Sequence, residues 1–137
     1  MADAKISALP AVTTPLTQAE ELPAVQSSTT KKVTVQQMLT GVIVTEATTT
    51  RTLSASDNGK IIYCTSGSAT TINCAAGLGV GFNCTIIQGG AGKVTIAANG
   101  QTLVSYSSLL STAGQYAIIS VIAPVANTFV AAGNLGV

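Results

Sequence analysis

The sequence predicts an all-β protein in which an extended N-terminal arm precedes an antiparallel β-sandwich body of jelly-roll-like form. Turn signals recur at nearly regular spacing after residue 47, among them the tight-turn pairs Asn58-Gly59 and Asn99-Gly100. Short runs rich in β-branched residues lie between the turns, which is the pattern of a sandwich or barrel. Before residue 47, three closely spaced prolines, Pro10, Pro15 and Pro23, exclude a long helix.

Residues 1–47 are the predicted arm. Each proline fixes its own φ and restricts the residue before it, which favours extended backbone over helix or central strand. We expect two short edge strands here, at 24–26 and 32–35. A turn over Ser27–Thr30 would join them, because serine and threonine hydroxyls bond the backbone locally in turns.

A capping signal lies near the end of the arm. Thr34 is followed three residues later by Gln37, which matches the capping box at the start of a helix. The sequence therefore predicts a short helical turn that stops near Gly41. We place the boundary between the arm and the body at residues 47 and 48, so that the body comprises residues 48–137.

The apolar side chains of the arm have no regular spacing. An extended segment of this size buries little against itself, and its apolar content is high for a solvated linker. Two alternatives follow: the arm is disordered alone, or it lies on the surface of a neighbouring protein, and we favour the second. The candidate docking residues are Ile6, Leu9, Pro10, Val12, Leu16, Leu22, Pro23 and Val25.

The body contains one run that is almost continuously apolar, residues 116–123. Gly114 before it, Pro124 after it and its β-branched residues favour a strand over a buried helix. A strand without polar alternation is expected to be buried on both faces, one in the core and the other against another subunit. The candidate oligomer-interface residues are Tyr116, Ile118, Ile119, Val121 and Ile122.

Charge is scarce and unevenly placed. Only 8% of residues are charged, against about 25% in ordinary soluble domains, and no side chain from Val94 to Val137 is charged. Because an unpaired charge loses its hydration in an interface, such depletion indicates a subunit of an assembly. The alternative is a monomer solvated by neutral polar residues, including 20 threonines.

The same composition excludes several functions. A net charge of +1 provides no field for a nucleic-acid backbone, and no apolar run approaches the roughly 20 residues that span a bilayer. The N-terminal residues lack the pattern of a secretion signal, so we expect assembly in a cytoplasm. The chain has no histidine, and four of its five carboxylates lie in the predicted arm. We therefore expect neither an enzyme nor a bound cofactor.

Two motifs could suggest chemistry, and neither is convincing. Residues 89–93, Gly-Gly-Ala-Gly-Lys, lack the spacing and following helix of a phosphate-binding loop. Cys64, Cys74 and Cys84 are spaced ten residues apart, without a Cys-x-x-Cys pair or a histidine to complete a metal site. We expect buried structural thiols, at similar depths in successive strand-turn-strand repeats. An inter-subunit disulfide remains the open alternative.

Several stretches resemble virion structural proteins of tailed bacteriophages. The arm resembles the N-terminal segment of many such proteins at Lys5–Pro10, Glu21–Gln26 and Thr30–Val35. The body resembles a small β-domain of head-decoration, head-fibre and tail-fibre proteins, over Leu53–Lys60, Phe82–Gln88, Val94–Ala98 and Gly114–Ala117. Together these stretches extend over most of the chain. Its three cysteines depart from the family pattern.

The resemblance implies a non-enzymatic virion subunit, often a homotrimer, whose arm docks on the shell or fibre beneath it. The short chain favours a capsid decoration protein, of cement or head-fibre type, that binds the major capsid protein on the outer capsid surface and stabilises the shell. The alternatives are a small tail or tail-fibre adaptor and a module that binds the host surface. No nucleic-acid or membrane partner is expected.

Overall fold

The computed structural model describes residues 41–137 and, before them, the backbone of two strands. The chain divides into two units, Met1–Thr40 and Gly41–Val137. Gly41–Ala47, which the sequence assigned to the end of the arm, thus belong to the larger unit. No helix of the described residues is long and apolar enough to cross a membrane.

The first unit contains an antiparallel hairpin of β1 (Glu21–Gln26) and β2 (Thr29–Thr34), which pair from Glu21 with Thr34 to Gln26 with Thr29. The prediction of two strands is confirmed, but both begin earlier than expected. Thr29 and Thr30, predicted in the turn, lie in β2. The predicted helical turn after Thr34 and the docking candidates from Ile6 to Leu16 lie outside the described residues.

The second unit begins as a coil of three rungs. Each rung has two strands, one in each of two sheets. The first strands of the three rungs pair in parallel with one another, and the second strands do the same. This is a β-solenoid arrangement. The rungs are β3 (Ile43–Glu46) with β4 (Thr50–Thr52), β5 (Ile61–Cys64) with β6 (Thr70–Asn73), and β7 (Asn83–Gln88) with β8 (Val94–Ala97).

Five further strands complete the two sheets, mostly in antiparallel fashion. They are β9 (Thr102–Ser105), β10 (Ser111–Thr112), β11 (Ile118–Val125), β12 (Thr128–Gly133) and β13 (Leu135–Gly136). The six-stranded sheet has the order β3-β5-β7-β11-β12-β9, and the five-stranded sheet β13-β10-β8-β6-β4. Short 3-10 helices lie at Ala55–Asp57 and Tyr106–Ser108.

The all-β prediction with two sheets is confirmed, but the antiparallel jelly-roll-like sandwich is wrong for the first six strands of the body. Each corner sends the chain to the opposite sheet, so strands adjacent in sequence do not pair there. Inward and outward alternation has the same period in both kinds of pairing, so it cannot distinguish them. The turn at Asn99-Gly100 is confirmed, with φ of 47° and 82°.

A single core lies between the two sheets of the larger unit. Equivalent positions of successive rungs place like residues together: Ile62 pairs with Ile86, and Ile72 with Ile96. All four are at most 1% exposed, and Phe129 from the antiparallel part is fully buried against them. Paired residues of successive rungs lie 18 residues apart from β3 to β5, as in Ile43 with Ile61, and 24 residues apart from β5 to β7, as in Ile61 with Thr85, so the rungs differ in length.

Glycines shape the corner between β7 and β8. A Cβ on Gly90 or Gly92 would fall well inside contact distance of the carbonyl oxygens of Ser66 and Ser68 in the corner beneath. The backbones are held at this distance by bonds from Gly90 N to Cys64 O, 2.9 Å, and from Gly92 N to Ser66 O, 3.1 Å. The glycine-rich stretch therefore serves close stacking of two corners.

Gly90→Ala and Gly92→Ala should each destabilise the protein by about 2 kcal/mol or more, because the new methyl group meets backbone that cannot move aside. Gly67→Ala, where nothing lies within 4 Å of the added Cβ, should change stability by less than about 0.5 kcal/mol. Urea denaturation of the three variants measures this difference. Equal effects would show that the corner stacking is not close.

Candidate interaction surface

From Ile118 to Ala123, the apolar strand β11 alternates between core and surface. Ile119 and Val121 are fully buried in the core of the single chain. Ile118 and Ile122 point the other way and are 44% and 42% exposed, and Tyr116 is 69% exposed. Of the five predicted interface residues, these three are thus accessible to a neighbour. The sequence predicts that this strand is buried on both faces. Within one chain, only its inward face is buried.

The neighbouring strands extend this surface across the whole six-stranded sheet. Register places Ile87 beside Ile118, Val130 beside Ile122, and Val104 beside Val130. At the opposite edge, Ile43 is 64% exposed. We call this surface the outer face; its members are Ile43, Thr45, Ile61, Tyr63, Asn83, Thr85, Ile87, Thr102, Val104, Ile118, Ser120, Ile122, Thr128, Val130 and Ala132.

The outer face carries no charged side chain. Glu46 is the single charged residue in the six strands, and it points inward and is 8% exposed. Of these members, the sequence predicted Ile118 and Ile122 on β11, but not Ile43 or Val104. Their alternation with inward residues could have identified them, had their strands been known to lie in the same sheet as β11.

The other sheet presents a different surface. Its outward residues are mostly hydroxyl or amide side chains, which we call the hydroxyl face: Thr50, Thr52, Thr71, Asn73, Thr95, Ala97 and Ser111. Register forms a row from Thr50 through Thr71 and Thr95 to Ser111, and the last two hydroxyl oxygens lie 2.9 Å apart. Such groups hydrogen-bond water readily, whereas aliphatic side chains do not. The outer face is therefore the better candidate for contact with protein.

Three charged residues meet at the first rung of the coil. Arg51 Nη1 donates to Glu46 Oε2 at 2.8 Å, and Nη2 donates to Asp57 Oδ1 at 2.6 Å. Glu46, which the sequence prediction placed in the arm, lies at the end of β3 in the larger unit. The parallel coil folds the two carboxylates onto either side of the guanidinium.

Further hydrogen bonds satisfy both carboxylates. The Thr48 hydroxyl donates to Glu46 Oε1 at 2.6 Å, and this bond, with those of Arg51, holds the pKa of Glu46 below its ordinary value despite burial. Burial raises the pKa of Asp57, but bonds from the Ser54 N–H and Arg51 outweigh it, so that this pKa too is lowered. Carboxylates held ionised in this way stabilise the fold and are poor proton donors.

The position of this ion-pair cluster gives a reason for having charged residues there. It lies at the first rung, where β3 and β4 are the edge strands of the two sheets. Exposed strand edges invite a further strand, and charged residues at an edge oppose such pairing. The ion-pair cluster therefore opposes the pairing of a further strand with the first rung; its members are Arg51, Glu46 and Asp57.

The cysteines are in the core and have no chemical partners. Cys64, Cys74 and Cys84 are free thiols and at most 2% exposed, which confirms the prediction of buried structural thiols. Burial raises their pKa values, to about 11 for Cys64 and Cys74 and about 12 for Cys84. At this depth they cannot reach a neighbouring subunit. Within the described residues, no three His, Cys, Asp or Glu side chains lie together as metal ligands.

Comparison with known proteins adds no identification. No protein-family model matches the sequence, and no curated protein is significantly similar to it. The geometry of the two sheet faces is thus the main guide to function.

Arg51→Met should destabilise the protein by about 3 kcal/mol at pH 7, because it leaves two poorly hydrated carboxylates without their cation. Lys60→Met removes a cation outside the cluster and should change stability by less than about 0.5 kcal/mol. Urea denaturation of the native protein and the two variants measures these changes in the free energy of unfolding.

The same variant predicts a pH dependence. In the native protein both carboxyl pKa values are lowered, so their stabilisation is complete above their ordinary values and is lost as pH falls through the lowered ones. In Arg51→Met, both carboxylates are buried without a cation, which raises their pKa values. Protonation in acid then removes their charge and relieves the repulsion between them. The difference in free energy of unfolding between the native protein and Arg51→Met should narrow from pH 7 to about pH 3. A difference that stays constant would contradict the ion-pair assignment.

Proposed function

We propose that this chain is a capsid decoration protein of a tailed bacteriophage, which binds the outer surface of the major capsid protein shell and stabilises it. The observation that supports this most is the contrast between the two sheets. One exposes an uncharged surface with more aliphatic than hydroxyl side chains, on which Ile43, Val104, Ile118 and Ile122 are all more than 40% exposed, and the other exposes mainly hydroxyl groups. A face of this kind is typical of a subunit whose surface is covered by protein.

In this proposal the outer face associates with copies of itself. An association between identical chains is commonly symmetric, and the resemblance to phage proteins implies three copies. Ile118 and Ile122 lie on β11, the third strand from the β9 edge of the sheet, so they would be covered in such a contact. The hydroxyl face would remain in water.

Residues 1–40 would supply the contact with the shell. The hairpin of β1 and β2 belongs to this unit, and its strand β1 contains the predicted docking residues Leu22, Pro23 and Val25. Joining several arms through one oligomeric body raises the effective concentration of each arm at its site, so weak contacts combine into firm attachment. Each occupied site then adds to the free energy needed to separate capsid subunits.

The alternative proposal is a small tail or tail-fibre adaptor, for which the same two sheet faces would also be suitable. The two proposals differ in the number of copies per particle. A copy number close to that of the major capsid protein indicates decoration, and a few copies indicate the tail. Quantitative mass spectrometry of purified particles measures this ratio.

Ile118→Lys with Ile122→Lys should leave the fold intact, since both side chains are outward, and should weaken self-association at least about tenfold by placing charge in the contact. The matched control is Thr50→Lys with Thr52→Lys, which adds the same charge to the hydroxyl face and should leave association unchanged. Sedimentation velocity over a range of concentrations measures both. A native chain that stays monomeric throughout would refute the proposed contact.

Deletion of residues 1–40 should leave the larger unit folded and associated, while its binding to capsid shells falls at least about tenfold. Binding is measured by co-sedimentation with shells assembled from the capsid protein encoded with this chain, and urea denaturation checks the fold of residues 41–137. A stably folded, truncated protein that coats shells at normal occupancy would show that the arm is not the anchor.

A further inference from the structure

A tyrosine stands almost free in solvent just after the end of β9. The Tyr106 side chain is 93% exposed, the greatest exposure of any aromatic residue in the described part of the chain. It opens the short 3-10 helix Tyr106–Ser108, which we call the Tyr106 turn. Nothing in the packing of the core requires an aromatic ring at this position.

The backbone of this turn is strained. Ser107 and Ser108 have φ of 64° and 58°, the left-handed region that residues with a side chain rarely adopt. The Ser105 hydroxyl donates to the carbonyl oxygen of Leu109 across the turn at 2.5 Å, which holds the conformation in place. Strained backbone clusters at ligand sites and other functional positions, and here it lies directly beside the exposed ring.

Two cavities flank the turn. One has a volume of about 250 Å³, and its lining includes Tyr106, Ser107, Leu109, Val130 and Leu135. The other, of about 180 Å³, is lined by Leu103, Val104, Ser105, Ser108 and Leu110. Both are smaller than the roughly 300–1,000 Å³ of sites for drug-sized ligands. Each therefore suits one small ring, and the turn lies between the two.

The linings restrict the ligand by charge. Every lining residue of both cavities lies between Val94 and Val137, where the sequence has no charged side chain. A charged ligand would lose hydration here without gaining a partner. The ligand that fits is consequently uncharged.

The linings also restrict its chemistry. Each cavity combines aliphatic walls with hydroxyl groups: the Tyr106 phenol and Ser107 in one, and Ser105 and Ser108 in the other. Hydroxyl groups both donate and accept hydrogen bonds. A pyranose ring has the matching character, with an apolar C–H face that can lie on an aromatic ring and a rim of hydroxyls. An apolar peptide side chain would offer no hydrogen bond to the hydroxyl groups of Tyr106, Ser107 and Ser108, whereas the Ser105 hydroxyl already donates to Leu109 O.

We propose that the Tyr106 turn and its two cavities form a binding site for an uncharged oligosaccharide. One pyranose ring lies against the Tyr106 ring, and the next lies beyond Ser108 in the second cavity. This site goes beyond the decoration function, and its ligand binding is independent of attachment to a shell. A particle covered with such bodies would display many weak saccharide sites at once.

The test is saturation-transfer NMR on the full-length chain with three uncharged trisaccharides, maltotriose, cellotriose and chitotriose, followed by titration of any that bind. At least one should receive saturation at its ring C–H protons. Tyr106→Ala should weaken its binding at least about tenfold, and Tyr106→Phe, which keeps the ring, by no more than about twofold. Because Tyr106 is exposed, neither change should disturb the fold.

The matched control is Tyr116→Ala. Tyr116 is also exposed, at 69%, and also has a positive φ, of 68°, but it lines neither cavity. Its loss should leave saccharide binding unchanged. The proposal is overturned if none of the three trisaccharides binds, if Tyr106→Ala binds as well as the native chain, or if N-acetyl-leucinamide binds at this site in place of the sugars. None of these results depends on capsid shells, so they leave the decoration proposal to its own test.

Discussion

The close parallel stacking of three coil rungs is the constraint on which the rest of this structure depends. Strands of one sheet lie about 4.8 Å apart, so every corner must pass its neighbour at that distance. Gly90 and Gly92 meet this requirement by having no side chain where the corner beneath passes. The same stacking places like residues in columns, such as Ile62 on Ile86, and so builds a core from small aliphatic side chains with few aromatics.

A coil of this kind has a first rung with open strand edges, and charge is concentrated there. Arg51 on β4 bonds Glu46 at the end of β3 and Asp57 in the following 3-10 helix. The three groups neutralise each other in part, and hydrogen bonds from Thr48 and Ser54 satisfy the remaining carboxylate oxygens. Three of the five charged side chains in residues 41–137 thus stabilise the coil where it is most open.

Away from the first rung, the two sheets divide their surfaces between water and apolar contact. Hydroxyl and amide groups cover most of the five-stranded sheet, whereas aliphatic side chains are the larger part of the outer face of the six-stranded sheet. This division gives a physical reason for the low charge of the chain: one face is solvated by neutral groups, and the other suits burial against protein. The decoration proposal uses the centre of the outer face and the saccharide proposal uses the turn beyond β9, and the two regions meet at Val104 and Val130.

Local patterns in the sequence were sufficient for the all-β class, the tight turn at Asn99-Gly100 and the burial of the three thiols. They were sufficient because a strand, a turn and an apolar position each depend on a few neighbouring residues. The parallel pairing, the meeting of Glu46 with Arg51 and Asp57, and the inward direction of Ile119 and Val121 depended on which distant strand became the neighbour. That choice is made by the summed packing of the whole chain. A period-two alternation is the same whichever strand lies alongside, so only the tertiary structure could decide it.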